Sequence, residues 1–215
     1  MMFDAKKILD QLVSSGVAGG LAGGLAGGAL ANVMSGKKAK KFAGSALKVG
    51  GLALVGGLAY KAWQNHQQSK AVTGGAILPV ADENAFIPSS DDEIATNALS
   101  LLLARAMIAA AKADGQIDTS ESQAILNQIN ALGLPADDKA FLFEEYAKPL
   151  DVVSLVRDVD SAEHAAEVYA ASLLMLDPPS PPEQIYLDTL AGELGLNAGL
   201  VAEIRATLQA DRITA

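Results

Sequence analysis

The stretch 16-GVAGGLAGGLAGGALANVM-34 constrains this chain more than any other. It carries no charge, and Gly16, Gly20, Gly24 and Gly28 recur every four residues, with Gly19, Gly23 and Gly27 beside them. In water each glycine inside a helix costs about 1 kcal/mol relative to alanine, so a soluble helix of this composition would not hold. In a bilayer no water competes for the backbone, and a smooth glycine face lets a second helix approach closely. The expectation is a membrane-associated glycine-zipper helix, with Gly16, Gly20, Gly24 and Gly28 as the face through which copies of the chain oligomerise.

A second apolar segment, 42-FAGSALKVGGLALVGGLAYKAW-63, repeats the small-residue spacing and ends in Tyr60 and Trp63, residue types common at membrane interfaces. Each segment approaches the roughly 20 residues a membrane crossing needs. Lys48 must then snorkel or mark the edge of the second span. Two arrangements fit: a helical hairpin, or one span over about 43–63 preceded by an associated glycine-rich helix. A signal-peptidase site at 29-ALA-31 is disfavoured by Asp4, Asp10 and the glycine-diluted apolar region. A flexible linker is disfavoured because Glu and Pro are absent from the runs and Ser occurs only once, at Ser45.

Charge divides the chain. Residues 1–70 hold nine lysines against Asp4 and Asp10, a balance of +7, whereas residues 71–215 hold seven basic and 23 acidic residues, a balance of −16. So acidic a C-terminal part repels phosphates, which argues against a nucleic-acid partner. There is no cysteine, which excludes disulfides, thiolate zinc sites and thiol nucleophiles. The cluster 37-KKAKK-41 belongs on the cytoplasmic side by the positive-inside rule, which places the acidic part outside the cytoplasm. Lys6, Lys7, Lys61 and Lys70 weaken that bias and leave a cytoplasmic acidic part as the alternative.

Three regions are expected: a membrane-associated segment 1–63, a linker 64–90 and a helical domain 91–215. The linker contains Gly-Gly and two prolines, and His66 within it is expected to be solvated. From Asp91 onward nothing alternates with period two, so the fold class is all-α. Seven helices are read: 93–113, 119–132, 136–148, 151–158, 162–176, 181–194 and 198–210. The first is apolar almost all round and should be central. Asp137-Asp138 and Glu144-Glu145 read as solvated helix starts and faces, and His164 as a surface histidine.

This domain contains a weak internal repeat. Glu121 is followed twelve residues later by Gly133, and Glu183 twelve residues later by Gly195. Both units end in Leu-Gly-Leu, and each follows an apolar helix that closes on an acid, Asp114 or Asp177. The pattern predicts two hairpins related by a pseudo-twofold axis. Asp118-Thr-Ser-Glu121 and Ser180-Pro-Pro-Glu183 are capping boxes, and Gly115 suits a helix end. Capping leaves Asp114 and Asp177 less well explained, since an acid near a helix C-terminus opposes the dipole. Asp114, Asp118, Glu121, Asp177 and Glu183 are therefore the candidate ligands for a hard divalent cation such as Ca²⁺, Mg²⁺ or Mn²⁺. Capping alone is the competing account. The string is not an EF-hand, and the glycine pairs are not phosphate loops, since no Gly-Lys-Ser/Thr accompanies them.

The ADGQIDTSE string, the apolar helix before it and the second acid-plus-glutamate copy resemble the tellurite-resistance TerB-like helical domain. The arrangement along the whole chain is similar to the YebE-like inner-membrane proteins of bacteria, which join a glycine-rich membrane segment to such a domain. The resemblance implies an all-α fold with pseudo-twofold halves, an inner-membrane location and an acidic, metal-binding face at Asp114, Gly115, Glu121, Asp177 and Glu183. The second copy departs from the pattern, with Pro178-Pro179 in place of the glycine and one residue fewer.

The functional expectation is a non-enzymatic, membrane-anchored acidic module that binds a divalent cation or a protein partner in an envelope or metal stress response. The alternative is a metal-independent scaffold that oligomerises through its glycine zipper. A metal-dependent hydrolase ranks last, for want of a nucleophile or a histidine base.

Overall fold

The computed structural model describes residues 4–14, 50–73, 81–89, 91–114, 130, 134–176 and 179–214. The glycine-rich run 16–34, the cluster 37–41, nearly all of the expected helix 119–132, and Asp118, Glu121 and Asp177 lie outside them. Among the described residues the protein is all helical, with eight α-helices, one 3₁₀ turn and no strand.

The helices are α1 (Ala5–Ser14), α2 (Gly51–Thr73), α3 (Glu93–Ala111), α4 (Ala136–Ala147), α5 (Val152–Arg157), α6 (Ala162–Met175), α7 (Pro181–Glu193) and α8 (Ala198–Thr214), with the 3₁₀ turn at Glu83–Ala85. Most starts carry the side-chain acceptor that helix physics asks for. Asp92 Oδ1 accepts the Ala95 N–H (2.9 Å), Asp151 Oδ1 that of Ser154 (2.9 Å), Ser161 Oγ that of His164 (3.0 Å) and Asn197 Oδ1 that of Leu200 (2.9 Å). α7 begins with Pro181 at its first position, where a missing N–H costs nothing. It ends in a Schellman motif: Leu196 N–H reaches the Ala191 carbonyl (3.0 Å), Gly195 N–H reaches that of Gly192 (3.1 Å), and Gly195 has φ +66. That geometry explains the Leu-Gly-Leu at 194–196.

The centre of the core is the pair α3 and α6, the two helices that precede the repeated acid-to-glutamate turns. Leu103, Ala104, Ala106 and Met107 from α3 are fully buried with Ala166, Val168, Tyr169 and Ala171 from α6. Alanines at the crossing let the helices come close enough for the Ser172 hydroxyl to meet the Ala106 carbonyl (3.4 Å). Arg205 on α8 ties the outer helices down, donating to the Tyr169 hydroxyl (2.9 Å), Gln184 Oε1 (2.9 Å) and Asp188 Oδ1 (3.3 Å).

The N-terminal part departs from the sequence reading. α1 packs on α3 and α2, and α2 packs on α8 and α6, all within one hydrophobic cluster. Leu52, Val55, Leu58, Ala59, Ala62 and Trp63 are buried there, so the apolar face of 51–63 is spent on protein rather than lipid. A span over 43–63 would withdraw that face and expose the matching surfaces of α1, α6 and α8 to water, where each large apolar side chain loses roughly 2 kcal/mol. Nor does the helix end at Trp63. It continues to Thr73, and the expected linker is further ordered by Phe86, fully buried with its ring centroid 5.7 Å from that of Trp63. Among the described residues only α3 is long and apolar enough to cross a bilayer, and α3 is the central core helix.

Three assignments, one histidine and two acids, change with burial. His66 is buried rather than solvated, because α2 carries it under the start of α8 at Gly199. Asp138 is buried on α4, and the Glu145 side chain is 11% exposed and paired with Arg105, instead of both lying on a solvated face.

Candidate functional site

Of the five expected carboxylate ligands, two are described. Asp114 lies in the turn just past α3, half-buried. Glu183 is buried at the third position of α7, where its Oε2 accepts the Ser180 N–H at 2.6 Å. That bond is the carboxylate half of a capping box, so Glu183 does the structural work its position predicted. Asp118, Glu121 and Asp177 lie outside the described residues. No group of three or more His, Asp or Glu among the described residues is placed to hold a metal ion.

The polar chemistry that the structure does bring together centres on Arg105. Leucine, alanine, methionine and isoleucine fill most of α3, and Arg105 is the one charged residue in it after Glu93. A lone cation in an apolar helix needs partners. Arg105 finds Glu145 Oε2 on α4 (Nε, 3.3 Å) and, through Nη1, Asp158 at the end of α5. That isolated charge was the signal in the sequence for a site here.

Arg105 stands between two cavities. The larger, about 790 Å³, is an open groove between the 84–89 loop and the first turns of α3 and α6. Its floor is apolar, with Leu99 and Leu102, and its rim carries Asp158, Asp160, Glu163 and His164. His164 Nδ1 meets Asp160 Oδ1 at 2.5 Å. The smaller cavity, about 290 Å³, lies where α3, the end of α4 and the start of α5 meet. Lys112 reaches into it from the C-terminus of α3 and is only 8% exposed. Its Nζ donates to the backbone carbonyls of Glu145 (3.1 Å) and Lys148, the end of α4, where the helix dipole favours a cation. Burial lowers the Lys112 pKa; Glu145 opposes that shift and Lys148 adds to it.

Glu167 stands apart. It is fully buried on α6, and among the described residues neither carboxylate oxygen has a hydrogen-bond partner. Burial pushes its pKa well above the usual carboxylate range, and Glu163 one turn away pushes it further. It therefore holds a proton under conditions where exposed glutamates do not. In sequence Glu167 stands three residues after His164, which reads as a surface histidine. Yet 165-AAEVYAASLLML-176 is apolar nearly all round, so any residue in that run is enclosed.

Comparison with known proteins adds family rather than activity. A family model described as "Protein of unknown function (DUF533)" matches residues 19–208, most of the chain. An "Uncharacterized protein in ampR 5'region" from Yersinia enterocolitica is 29% identical over 92 residues, which is 43% of this chain and 66% of that relative, just under two thirds of its length. No solved structure matches the chain.

Proposed function

The chain belongs to the DUF533 family, which is TerB-like, and on that footing we propose that it is a non-enzymatic, metal-independent helical scaffold held on a membrane surface by its glycine-rich stretch. The observation that carries this reading is the bond from the Gly51 N–H to Asp10 Oδ1, 2.6 Å long. Asp10 lies on α1 one turn before Ser14, and Gly51 opens α2, so the two described ends that residues 15–49 join lie close together.

That closure restricts how an apolar excursion meets a bilayer. If 16–34 crossed as a helix, the chain would have to return between Phe42 and Gly50, nine residues. Nine helical residues reach only about 14 Å, against a hydrocarbon core of roughly 30 Å. An extended return would leave its backbone unbonded in lipid. The arrangement that fits is an insertion that enters and leaves on one side, with Lys37, Lys38, Lys40 and Lys41 returning to the headgroups beside the body. By the positive-inside rule that side is cytoplasmic, which favours the second of the two locations open from sequence. The likeness to YebE-like inner-membrane proteins accords with this reading. The groove beside Arg105, apolar below and acidic at its rim, suits a basic segment of a protein partner.

Vesicle flotation tests the membrane part. The full chain is expected to float with vesicles containing anionic lipid, and a variant with 15–49 replaced by a short Gly-Ser loop is expected to stay soluble with an unchanged helical spectrum. Equal flotation of the two would refute the reading. A C-terminal reporter fusion checks the side: fluorescence without phosphatase activity is expected.

A further inference from the structure

The acidic body concentrates its few cations in one place. Seven basic residues follow position 70, and three of them, Arg105, Lys112 and Lys148, line the same 290 Å³ cavity. The rest of its wall is largely apolar, with Ile108, Leu150 and Leu155. We propose that this cavity binds a small aliphatic monocarboxylate, its charge held by Arg105, Lys112 and Lys148 and its apolar body against Ile108, Leu150 and Leu155.

Donor counting supports a ligand here. An ammonium has three N–H donors, and Lys112 uses two of them on the Glu145 and Lys148 carbonyls. A guanidinium has five, and Arg105 directs one to Glu145 and one to Asp158. Lys148 bonds Glu145 with a single contact. Three side chains that keep donors beyond these bonds therefore line one cavity, two of them from α3 and its C-cap.

The charge balance of the lining points the same way. Asp158 bonds Arg105 from outside the cavity lining, and Asp151 caps Ser154. Of the charged residues that line the cavity, Arg105, Lys112 and Lys148 stand against Glu145 and Asp151, an excess of one positive charge. A monoanion neutralises that excess. The apolar wall selects an aliphatic body over water or a second charge, and a cavity of this size takes only a small molecule.

The test uses the full-length chain, titrated with hexanoate and followed by backbone amide shifts and isothermal calorimetry. Saturable binding is expected, with shifts at Ile108, Lys148 and Ser154. Hexanamide, which keeps the body and lacks the charge, is expected to bind at least about tenfold more weakly, the worth of a charge-assisted hydrogen bond. Lys148→Gln, at an exposed position that leaves the body folded, is expected to weaken hexanoate and leave hexanamide unchanged. Equal affinity for the acid and the amide overturns the proposal, as do shifts located elsewhere. So does a Lys148→Gln variant that binds hexanoate as the natural chain does.

Discussion

Gly56 on α2 and Glu167 on α6 fit together at the limit of contact: a Cβ placed on residue 56 would lie 3.1 Å from Glu167 Oε1, 3.0 Å from the Phe86 carbonyl and 2.9 Å from Ile87 Cγ1. α2, α6 and the 81–89 loop meet at this point. The close approach that the small residues of α2 permit is spent on seating that helix against a buried carboxyl.

The first prediction concerns that seat. Alanine at position 56 gains about 1 kcal/mol of helix propensity but meets backbone and side chain closer than real Cβ atoms come, which costs about 1–3 kcal/mol. Gly57 faces open space, so there only the propensity gain applies. Gly56→Ala is expected to lower the Tm and Gly57→Ala to raise it. Thermal melts showing both substitutions stabilising would contradict the packing described at 56.

Glu167 gives a pH prediction. Its folded pKa is raised above the unfolded value of about 4.3. A group raised in this way contributes stability that is whole below the unfolded pKa and is lost as pH rises through the folded pKa. Glu167→Gln removes the titration while keeping the shape. Across the interval above about pH 4.3, the natural chain is expected to lose Tm relative to the variant, which at neutral pH is at least as stable. Parallel Tm profiles for the two proteins, measured from pH 4 to 9, would rule this out.

The Asp10 contact to Gly51 satisfies the first N–H of α2 from another helix, in the manner of an N-cap. Asp10→Ala is expected to cost about 1 kcal/mol, and Asp10→Asn, which keeps an acceptor oxygen, distinctly less. Urea unfolding curves measure both. Similar midpoints for the alanine and asparagine variants would show that the acceptor contributes nothing.

Metal dependence follows from the carboxylates at the repeated turns. Glu183 is committed to a cap, so Glu183→Ala is expected to cost about 1 kcal/mol with or without metal. Millimolar Ca²⁺ or Mn²⁺ is expected to leave the Tm of the full chain unchanged. A metal-dependent rise in Tm that disappears in a variant combining Asp114→Asn, Glu121→Gln and Asp177→Asn would instead establish the divalent-cation reading.

Much of this protein is written locally. The caps at Asp92, Asp151, Ser161 and Ser180 and the Leu-Gly-Leu helix stop at 194–196 depend on residues a few positions apart, so spacing alone announces them. The same is true of the centrality of α3, whose apolar residues leave no face for water. The all-α class follows from a period that persists from Asp91 onward. Position along the chain does not reveal which apolar surface meets which. The run 51–63 suits lipid or a protein core equally by composition, and only the faces of α1, α6 and α8 that accept Leu52, Val55 and Trp63 decide between them. The burial of His66 and Glu167, the convergence of Arg105, Lys112 and Lys148, and the meeting of Asp10 with Gly51, 41 positions apart, are likewise contacts between distant segments. They arise from helices packing in three dimensions, where free energy depends on the partner surface that a residue finds and not on its neighbours in sequence.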